Sequence, residues 1–353
     1  MDEVQECYFG NVIAAGLGQA PARQVALGAG AQLSTPCTTV NKVCASGTKT
    51  VMLAAMAVQT GVADVVAAGG MESMSNIPYI MPQARKGFGY GHGQVVDALL
   101  ADGLTDSFDK HHMGMCAEKC NKDHGITREQ QDEYAKQSYT RAASAWDRGF
   151  FDDEIAPVSV PQRRGDPKVV SVDEEYTNVK FDKIGSLRPA FDKNGSVTAA
   201  NASTLNDGAA ALIVSSQKYA DEKGLTPLAI VRAYADAAVQ PVDFPVAPAP
   251  AIEKVLANAG LTVDDIDLFE LNEAFASVSL ANMKLLGIDN DKINVNGGAV
   301  ALGHPIGMSG ARIVGTLARA LREQGKRYGV AAICNGGGGA SAVLVENPLA
   351  ATE

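Results

Sequence analysis

The chain has 353 residues, of which 46% are hydrophobic and 20% are charged, a balance that is typical of soluble globular proteins and not of disordered or fibrous ones. Its formal net charge of −10 argues against nucleic-acid binding, because an acidic surface repels phosphate backbones. No apolar stretch reaches the ~20 residues that a membrane-spanning helix requires, so the composition predicts no membrane segment and allows more than one domain.

Helix and strand patterns alternate in the first half of the chain. A helix is predicted from Ser46 to about Gly61, because the segment is rich in Ala, Met and Val and ends at a glycine. The apolar run 62–70 that follows is typical of a buried strand. Thr127 begins a T-R-E-Q capping box, and the helix that it opens is predicted to reach Gly149.

The second half shows the same alternation. Helices are predicted over 245–259, 272–285 and 309–323, and strands over 264–271, 328–334 and 340–346. Such an alternation indicates an α/β protein in which helices form layers against buried sheets.

A short internal similarity links the two halves. Ser46-Gly47 opens a helix that precedes the strand sequence VAA at 66–68, and Ser309-Gly310 opens a helix that precedes VAA at 330–332. The order and the spacing of these features are nearly the same in both halves. We interpret the similarity as a duplication, which predicts two similar domains with pseudo-twofold symmetry.

The predicted halves span residues 1–222 and 223–353. Within the first half, the stretch from about 77 to 197 departs from the alternation and holds polar, glycine-rich and charged segments. We interpret it as an inserted loop domain, which is a common place for ligand recognition. A solvated surface excursion would have the same composition.

Cys44 is the first candidate for chemistry because it precedes the first turn of a predicted helix. The free N–H groups and the dipole at that helix end favour a thiolate, which is the nucleophilic form of cysteine. The alternative is a buried, inert cysteine, which the short sequence VCAS would more often contain.

Three further stretches favour the chemical interpretation. His304 lies in a loop of small residues, and Cys334 ends a strand just before four glycines whose N–H groups could bind an oxyanion. Asn272 and Glu273 lie at a strand-to-helix junction. Together these residues predict a thioester-forming enzyme in which one thiolate accepts an acyl group, a histidine activates it and a second base removes a proton.

Other sites fit the sequence less well. Cys116 and Cys120 lie four residues apart, but no second ligand pair at zinc-like spacing accompanies them. The adjacent His111 and His112 would point to different faces of a regular element, which argues against a shared metal. The glycines of 16–21 lack the third glycine of a dinucleotide-binding fingerprint.

Taken together, the motifs resemble those of the thiolase family, and most closely its potassium-responsive mitochondrial acetoacetyl-CoA thiolases. The similarity extends over nearly the whole chain, with its longest motifs at 9–30, 293–313 and 334–344. It implies the thiolase fold, in which two pseudo-symmetric α/β halves form five layers (αβαβα) and carry an inserted loop domain. It also implies a reversible Claisen condensation of two acetyl-CoA to acetoacetyl-CoA and CoA, through an acetyl-cysteine.

The resemblance assigns catalytic roles to five residues. It implies that Cys44 is the acylated nucleophile, that His304 activates it, and that Cys334 is the acid/base acting on the second acetyl-CoA. Asn272 resembles the residue that holds a water in one oxyanion hole. The backbone N–H groups of Cys44 and Gly336 would form the other oxyanion hole.

The resemblance also implies ligand contacts. Residues that match coenzyme A contacts, or the acyl pocket beside them, are His112, Met113, Tyr139, Lys183, Phe191, Ser203, Phe244, Ala274 and Phe275. Residues that match a potassium site are Tyr139, Ala199, Ala200, Ala202 and Val300. Lys183 lies where the similarity is loosest, and the aromatic ring of Phe244 hints at tolerance for a 2-methyl branch.

Two further expectations concern the start of the chain and its surroundings. Family members carry a first strand and helix before the stretch that matches 9–12, so the resemblance predicts an unpaired, apolar sheet edge. It also implies a homotetramer (a dimer of dimers) in the mitochondrial matrix or the cytoplasm, with the mitochondrion slightly favoured and no redox cofactor.

Two alternatives remain open at this point. A 3-ketoacyl-CoA thiolase for longer chains would share the fold, although Phe244 and Met113 would narrow its acyl pocket. A non-catalytic thiolase-like protein that binds CoA or lipid is the other alternative, although Cys44, Asn272, His304 and Cys334 are all present.

Overall fold

The computed structural model describes residues 1–350, which form two four-stranded sheets, two short hairpins and ten α-helices. The strands are β1 (Glu6–Gly10), β2 (Cys37–Val40), β3 (Val65–Ser73), β4 (Tyr79–Ile80), β5 (Val96–Asp97), β6 (Val158–Val160), β7 (Lys168–Val170), β8 (Asp207–Ser215), β9 (Ile230–Ala238), β10 (Leu268–Leu271), β11 (Tyr328–Asn335) and β12 (Gly339–Glu346). The helices are α1 (Pro21–Gly28), α2 (Ser46–Gln59), α3 (Met113–His124), α4 (Arg128–Asp147), α5 (Glu175–Asn178), α6 (Gln217–Glu222), α7 (Pro248–Ala259), α8 (Ala276–Leu286), α9 (Ala299–Leu302) and α10 (Ser309–Glu323).

Most of the predicted elements are confirmed. Helices α2, α4 and α10 and strands β3, β11 and β12 lie where the sequence patterns place them. Both hydrogen bonds of the predicted capping box at Thr127 are present, and Thr127 is the N-cap of α4.

The other predicted elements are wrong at their starts. The strand over 264–271 shortens to β10, because Val263–Asp265 forms a 3₁₀ turn. Helix α7 begins at Pro248, after a separate 3₁₀ turn over Pro241–Val246. Helix α8 begins at Ala276, because backbone hydrogen bonds to the 201–203 segment hold the preceding residues in an extended conformation.

The two sheets and their helices stack in five layers. One sheet has the strand order β2-β1-β3-β8 and the other β10-β11-β12-β9. Helices α2 and α10 lie between the sheets and share one hydrophobic core with both. Helix α1 covers the outer face of the first sheet, and α7 covers that of the second. This arrangement confirms the predicted αβαβα fold.

The matching strands β8 and β12 differ in what covers them. In each strand, the residues after a glycine alternate between the two faces of the sheet, and every second one lies on the face away from α2 and α10. In β12, Ala340, Ala342 and Leu344 are fully buried beneath β9 and α7. In β8, which pairs within residues 1–350 only with β3, Ala211 and Ile213 are exposed. Strand β8 is therefore an edge strand within residues 1–350, and apolar side chains on one of its faces are exposed.

The segment between β3 and β8 covers one end of the second half. It contains the hairpins β4–β5 and β6–β7 together with α3, α4 and α5. Helices α3 and α4 both pack against α8, and α4 also packs against α9. No helix within residues 1–350 is long and apolar enough to cross a membrane.

Candidate active site

Cys44 lies on a tight turn between β2 and α2. The preceding residue, Val43, has a left-handed backbone (φ 48°), which is costly for a β-branched side chain. The turn is held by Ser46, whose Oγ accepts from the Lys42 N–H (2.8 Å) and donates to the Val43 carbonyl (2.6 Å). Lys42 then crosses to the second half, where its Nζ lies 2.7 Å from Asp236 Oδ1. The nucleophile candidate is thus tied to both halves.

Burial and nearby N–H groups act on the Cys44 thiol in opposite directions. Burial raises the pKa of Cys44 to about 11, although the backbone N–H groups of Gly336 and of Cys44 itself lower it in part. Desolvation therefore outweighs the donors at the helix end and favours the thiol over the expected thiolate. The same two N–H groups are those predicted to form an oxyanion hole, and both lie close enough to the Cys44 sulfur to affect its pKa.

His304 is held in one tautomer by its neighbours. Its Nδ1 lies 2.6 Å from Ser309 Oγ, and that hydroxyl donates to the Pro305 carbonyl (3.0 Å). The Ser309 oxygen therefore accepts from Nδ1–H, which leaves the lone pair on Nε2. Burial and the nearby charge of Arg312 lower the pKa of His304 to about 3. The ring is neutral at physiological pH and can accept a proton at Nε2.

Close contact between α2 and α10 brings Cys44 and His304 into one site. A Cβ on Gly47 would lie 2.5 Å from the Ala311 backbone nitrogen, and one on Gly310 would overlap Thr48. Both glycines are therefore needed where the first turns of these helices meet. Ile306, two residues beyond His304, packs in the same cluster as Cys44.

Asn272 lies beside the imidazole, at the end of β10. Its side chain is 1% exposed, and its Nδ2 lies 3.3 Å from His304 Nε2. An amide N–H and an imidazole nitrogen at this spacing can together surround one oxygen atom of a ligand.

Cys334 lies at the end of β11, inside a hydrophobic cluster. It is fully buried, and burial and the nearby Cys44 raise the pKa of its thiol well above the usual range. The cluster contains five of the nine residues predicted for the coenzyme A and acyl pocket: Met113, Phe191, Phe244, Ala274 and Phe275. The fold therefore brings the second thiol and the apolar pocket residues together.

The other predicted coenzyme A residues do not belong to the buried cluster around Cys334. His112 stacks on Phe191 with ring centroids 4.6 Å apart and accepts from the Gly114 N–H through Nδ1. Ser203 donates to the Ala274 carbonyl at 2.9 Å. Lys183 is exposed on a 3₁₀ turn outside the cluster, so its contact with coenzyme A stays a prediction.

The predicted potassium residues lie on three neighbouring segments. Tyr139 and Val300 share a buried cluster where α4 meets α9. Ala200 and Ala202 are buried, and the Ala202 backbone pairs with that of Phe275. Among residues 1–350, no backbone N–H donates to the carbonyl oxygens of Ala199, Ala200, Ala202 or Val300. Carbonyl oxygen acceptors of this kind suit a hard cation.

Sequence reasoning missed two residues that build the site. Ser309 orients the His304 ring, although the sequence pattern indicated only that it opens a helix. The buried carboxylate of Glu72 accepts from the N–H groups of Val12 (2.9 Å) and Gly307 (3.0 Å). It thereby joins the loop after His304 to the first half. The available signal was the position of Glu72 two residues after the glycine pair that follows VAA.

Comparison with known proteins agrees with this architecture. The family described as "Thiolase, N-terminal domain" matches residues 1–218, and "Thiolase, C-terminal domain" matches residues 225–347. The mitochondrial acetyl-CoA acetyltransferase A of Xenopus laevis is 56% identical over 98% of this chain and 81% of its own length. The human mitochondrial acetyl-CoA acetyltransferase is 55% identical over 98% of this chain and 80% of its own length.

Solved structures give the same result. The Acat5 thiolase of Ascaris suum, crystallised with coenzyme A, matches with a TM-score of 0.92 and 48% identity, over 98% of this chain and 88% of that one. The acetyl-CoA acetyltransferase of Bacillus anthracis matches with a TM-score of 0.95 and 43% identity, over 98% and 87% of the two chains. With both of its halves matched in sequence and in fold, the chain belongs to the thiolase family.

Proposed function

We propose that this protein is an acetyl-CoA C-acetyltransferase, which condenses two acetyl-CoA reversibly to acetoacetyl-CoA and CoA. The observation that carries the proposal is the convergence of two thiols, a neutral histidine and an amide side chain at the ends of neighbouring elements. The relatives named above support the substrate, because their printed names state this activity and one of them binds coenzyme A.

The first half-reaction transfers an acetyl group to Cys44. His304 Nε2 takes the thiol proton as the sulfur attacks the thioester carbonyl. The thiolate of CoA leaves and takes the proton of Cys334, which becomes a thiolate. The raised pKa of Cys44 and the lowered pKa of His304 favour a neutral resting pair, so that charge develops only during the reaction. The N–H groups of Cys44 and Gly336 stabilise the carbonyl oxygen as it becomes negative.

The second half-reaction forms the carbon–carbon bond. The Cys334 thiolate removes a proton from the methyl group of the second acetyl-CoA. The enolate oxygen lies between the Asn272 amide and His304, whose Nε2 still carries the proton taken from Cys44. The enolate carbon attacks the acetyl group on Cys44, and the Cys44 sulfur leaves and takes its proton back from His304. Two separate oxyanion sites are needed, because negative charge develops on a different oxygen in each half-reaction. Removal of one such donor typically costs ~2.7–4 kcal/mol of transition-state stabilisation.

The acyl pocket favours short chains. Phe244 is 2% exposed and Met113 is 8% exposed, and both pack in the cluster that contains Cys334. Two large side chains beside the second thiol leave little room for a long acyl chain. This supports acetoacetyl-CoA over the longer 3-ketoacyl-CoA alternative.

Thiolysis of acetoacetyl-CoA tests the proposal directly. With CoA and KCl present, we expect the absorbance of acetoacetyl-CoA to fall rapidly, and a longer 3-ketoacyl-CoA to be cleaved more slowly. Preference for the longer substrate would favour the other thiolase class. A sample that is folded by circular dichroism, binds coenzyme A and cleaves neither substrate would favour the non-catalytic alternative.

A potassium ion is the second ligand that we propose. The carbonyls of Ala199, Ala200, Ala202 and Val300, with the phenol oxygen of Tyr139, would hold it. The absence of backbone donors to those carbonyls among residues 1–350 supports this set. The ion would supply a fixed positive charge that orders the 198–203 segment, to which the backbone beside Phe275 is hydrogen-bonded.

We expect activity to rise with KCl, measured against NaCl at equal ionic strength. Tyr139→Phe removes one ligand, and loss of one contact to a charged group costs about 1.5–3 kcal/mol. The KCl concentration for half-maximal activity should therefore rise about tenfold or more. Tyr219→Phe, at a hydroxyl that donates to Glu3 on the surface, is the matched control. An equal response to the two salts would contradict the site.

Cellular location and oligomeric state complete the proposal. The mitochondrial relatives support a mitochondrial location. A homotetramer is supported by the region of the β4–β5 hairpin, where Tyr79, Phe88 and Tyr90 are exposed, since clustered exposed aromatic side chains are typical of subunit interfaces.

A further inference from the structure

Directly after Asn272 lies a buried carboxylate whose hydrogen-bond partners are all uncharged. Glu273 is 0% exposed. Its Oε1 accepts from Tyr134 Oη (2.9 Å) and Asn294 Nδ2 (2.8 Å), and its Oε2 accepts from Ser138 Oγ (2.7 Å) and the Val300 N–H (3.1 Å). A buried charge without a cationic partner costs folding free energy, so these four bonds must compensate for it.

The four donors belong to the segments that surround Asn272 and His304. Asn294, in a left-handed conformation (φ 47°), also makes two 2.8 Å hydrogen bonds to the backbone of Leu271 at the end of β10. Val300 lies in α9, which leads through Gly303 into His304. Glu273 is thus covalently bonded to Asn272 and hydrogen-bonded to the helix that precedes His304.

We propose that Glu273 is a positioning residue, which sets the separation between the Asn272 amide and the His304 ring and so shapes the oxyanion site between them. The inference rests on the proposed function. Asn272 Nδ2 and His304 Nε2 are 3.3 Å apart, and an oxyanion site tolerates little displacement of its donors. Glu273 packs against Gly298, where a Cβ would overlap its carboxylate. A shift of the Glu273 carboxylate would therefore shift the segment that leads to His304.

A carboxylate is required because a neutral isostere cannot accept all four bonds. Glutamine replaces one acceptor oxygen with an NH₂ group, which only donates. In one orientation that group would face the Val300 N–H, and in the other it would face Asn294 Nδ2. Asn294 Nδ2 cannot turn away, because its amide is also bonded to the Leu271 backbone. In either case the new NH₂ group would face an N–H donor, and the segment that carries that donor would shift. This holds even for Asn294 Nδ2, which keeps its bonds to Tyr134 Oη (3.1 Å) and the Leu271 carbonyl (2.8 Å).

Glu273→Gln separates a positioning role from a purely structural one when two rates are compared on the same enzyme. The first is labelling of Cys44 by labelled acetyl-CoA, which needs His304 but not Asn272. The second is exchange of the acetyl-CoA methyl protons with deuterated solvent, which needs both donors of the enolate site. We expect exchange to fall by about 10- to 100-fold, the effect of one lost hydrogen bond to a charged group, and labelling to fall much less.

Glu118→Gln is the matched control. Glu118 accepts from the N–H groups of Ser196 and Val197, each at 2.8 Å, and its hydrogen bonds reach neither β10 nor α9. Its replacement should lower the thermal midpoint and leave the ratio of the two rates unchanged. Tyr134→Phe removes only one donor to Glu273, and it should shift the ratio in the same direction by a smaller factor.

The outcomes are distinguishable. If Glu273→Gln lowers exchange and labelling by the same factor, or changes neither, the inference is overturned. If Glu273→Gln does not fold, Tyr134→Phe decides, and an unchanged ratio in that variant overturns the inference. If the unmodified protein shows neither labelling nor exchange, the proposed function itself fails, and this result is separate from any variant.

Discussion

Replacement of Cys44 by serine should abolish formation of the acyl-enzyme. A serine hydroxyl is far less acidic than a thiol, and the burial that raises the pKa of Cys44 to about 11 would disfavour an alkoxide still more. Removal of the nucleophile from an enzyme that uses covalent catalysis costs on the order of 10⁶-fold in kcat. The measurement is covalent labelling with radioactive acetyl-CoA after rapid denaturation, together with thiolysis of acetoacetyl-CoA.

Cys37→Ser is the control for this variant, because Cys37 is a free, half-buried cysteine in the same region of the chain. Cys37→Ser should be labelled as fully as the unmodified protein. Equal labelling of Cys44→Ser and the unmodified protein would show that the nucleophile lies elsewhere.

Replacement of Cys334 by serine should separate the two half-reactions. We expect Cys44 to be labelled by acetyl-CoA as before. Attack on the thioester uses His304 and the two backbone N–H groups, and the CoA thiolate can take its proton from water when Cys334 is absent. Condensation should be blocked, because a serine hydroxyl is a much weaker base than a thiolate. Loss of a positioned acid/base typically lowers the rate by about 10²- to 10⁴-fold. Radioactive labelling and formation of acetoacetyl-CoA are measured on the same sample.

Cys120→Ser is the matched control for Cys334→Ser, because Cys120 is also a buried, free cysteine, on α3 near the same pocket. Provided that Cys120→Ser folds, it should retain condensation. If Cys334→Ser lost acyl labelling together with condensation, the division of roles between the two thiols would be wrong. If it retained condensation, the base would be a different residue.

Much of the fold could be predicted from local patterns. The capping box at Thr127 specifies the start of α4, because its two hydrogen bonds are made within one turn of the chain. The repeat of Ser-Gly and VAA indicated that α2 and α10 are equivalent, and the structure confirms this in their packing between the two sheets. The start of α8 could not be predicted, because residues 201–203, distant in sequence, bond to the backbone on either side of Phe275 and hold that residue in an extended conformation.

The chemical residues were named from the sequence, but their protonation states were not. The position of Cys44 before a helix indicated a thiolate, yet the structure keeps the thiol protonated. Helix-end donors are a local feature, whereas desolvation depends on every segment that packs around the sulfur. The same holds for His304, whose neutral state follows from burial between elements of both halves.

The sequence by itself determined the family, the order of most elements and the identity of the candidate nucleophile, base and second thiol. These features can be predicted from short motifs and local periodicity. Only the tertiary structure decided which tautomer His304 adopts, which carboxylate holds the loop that follows it, and that Glu273 links Asn272 to the helix before His304. The tautomer follows from the folded turn between His304 and Ser309. The two carboxylate links follow from hydrogen bonds between residues far apart in the chain, and local periodicity encodes neither.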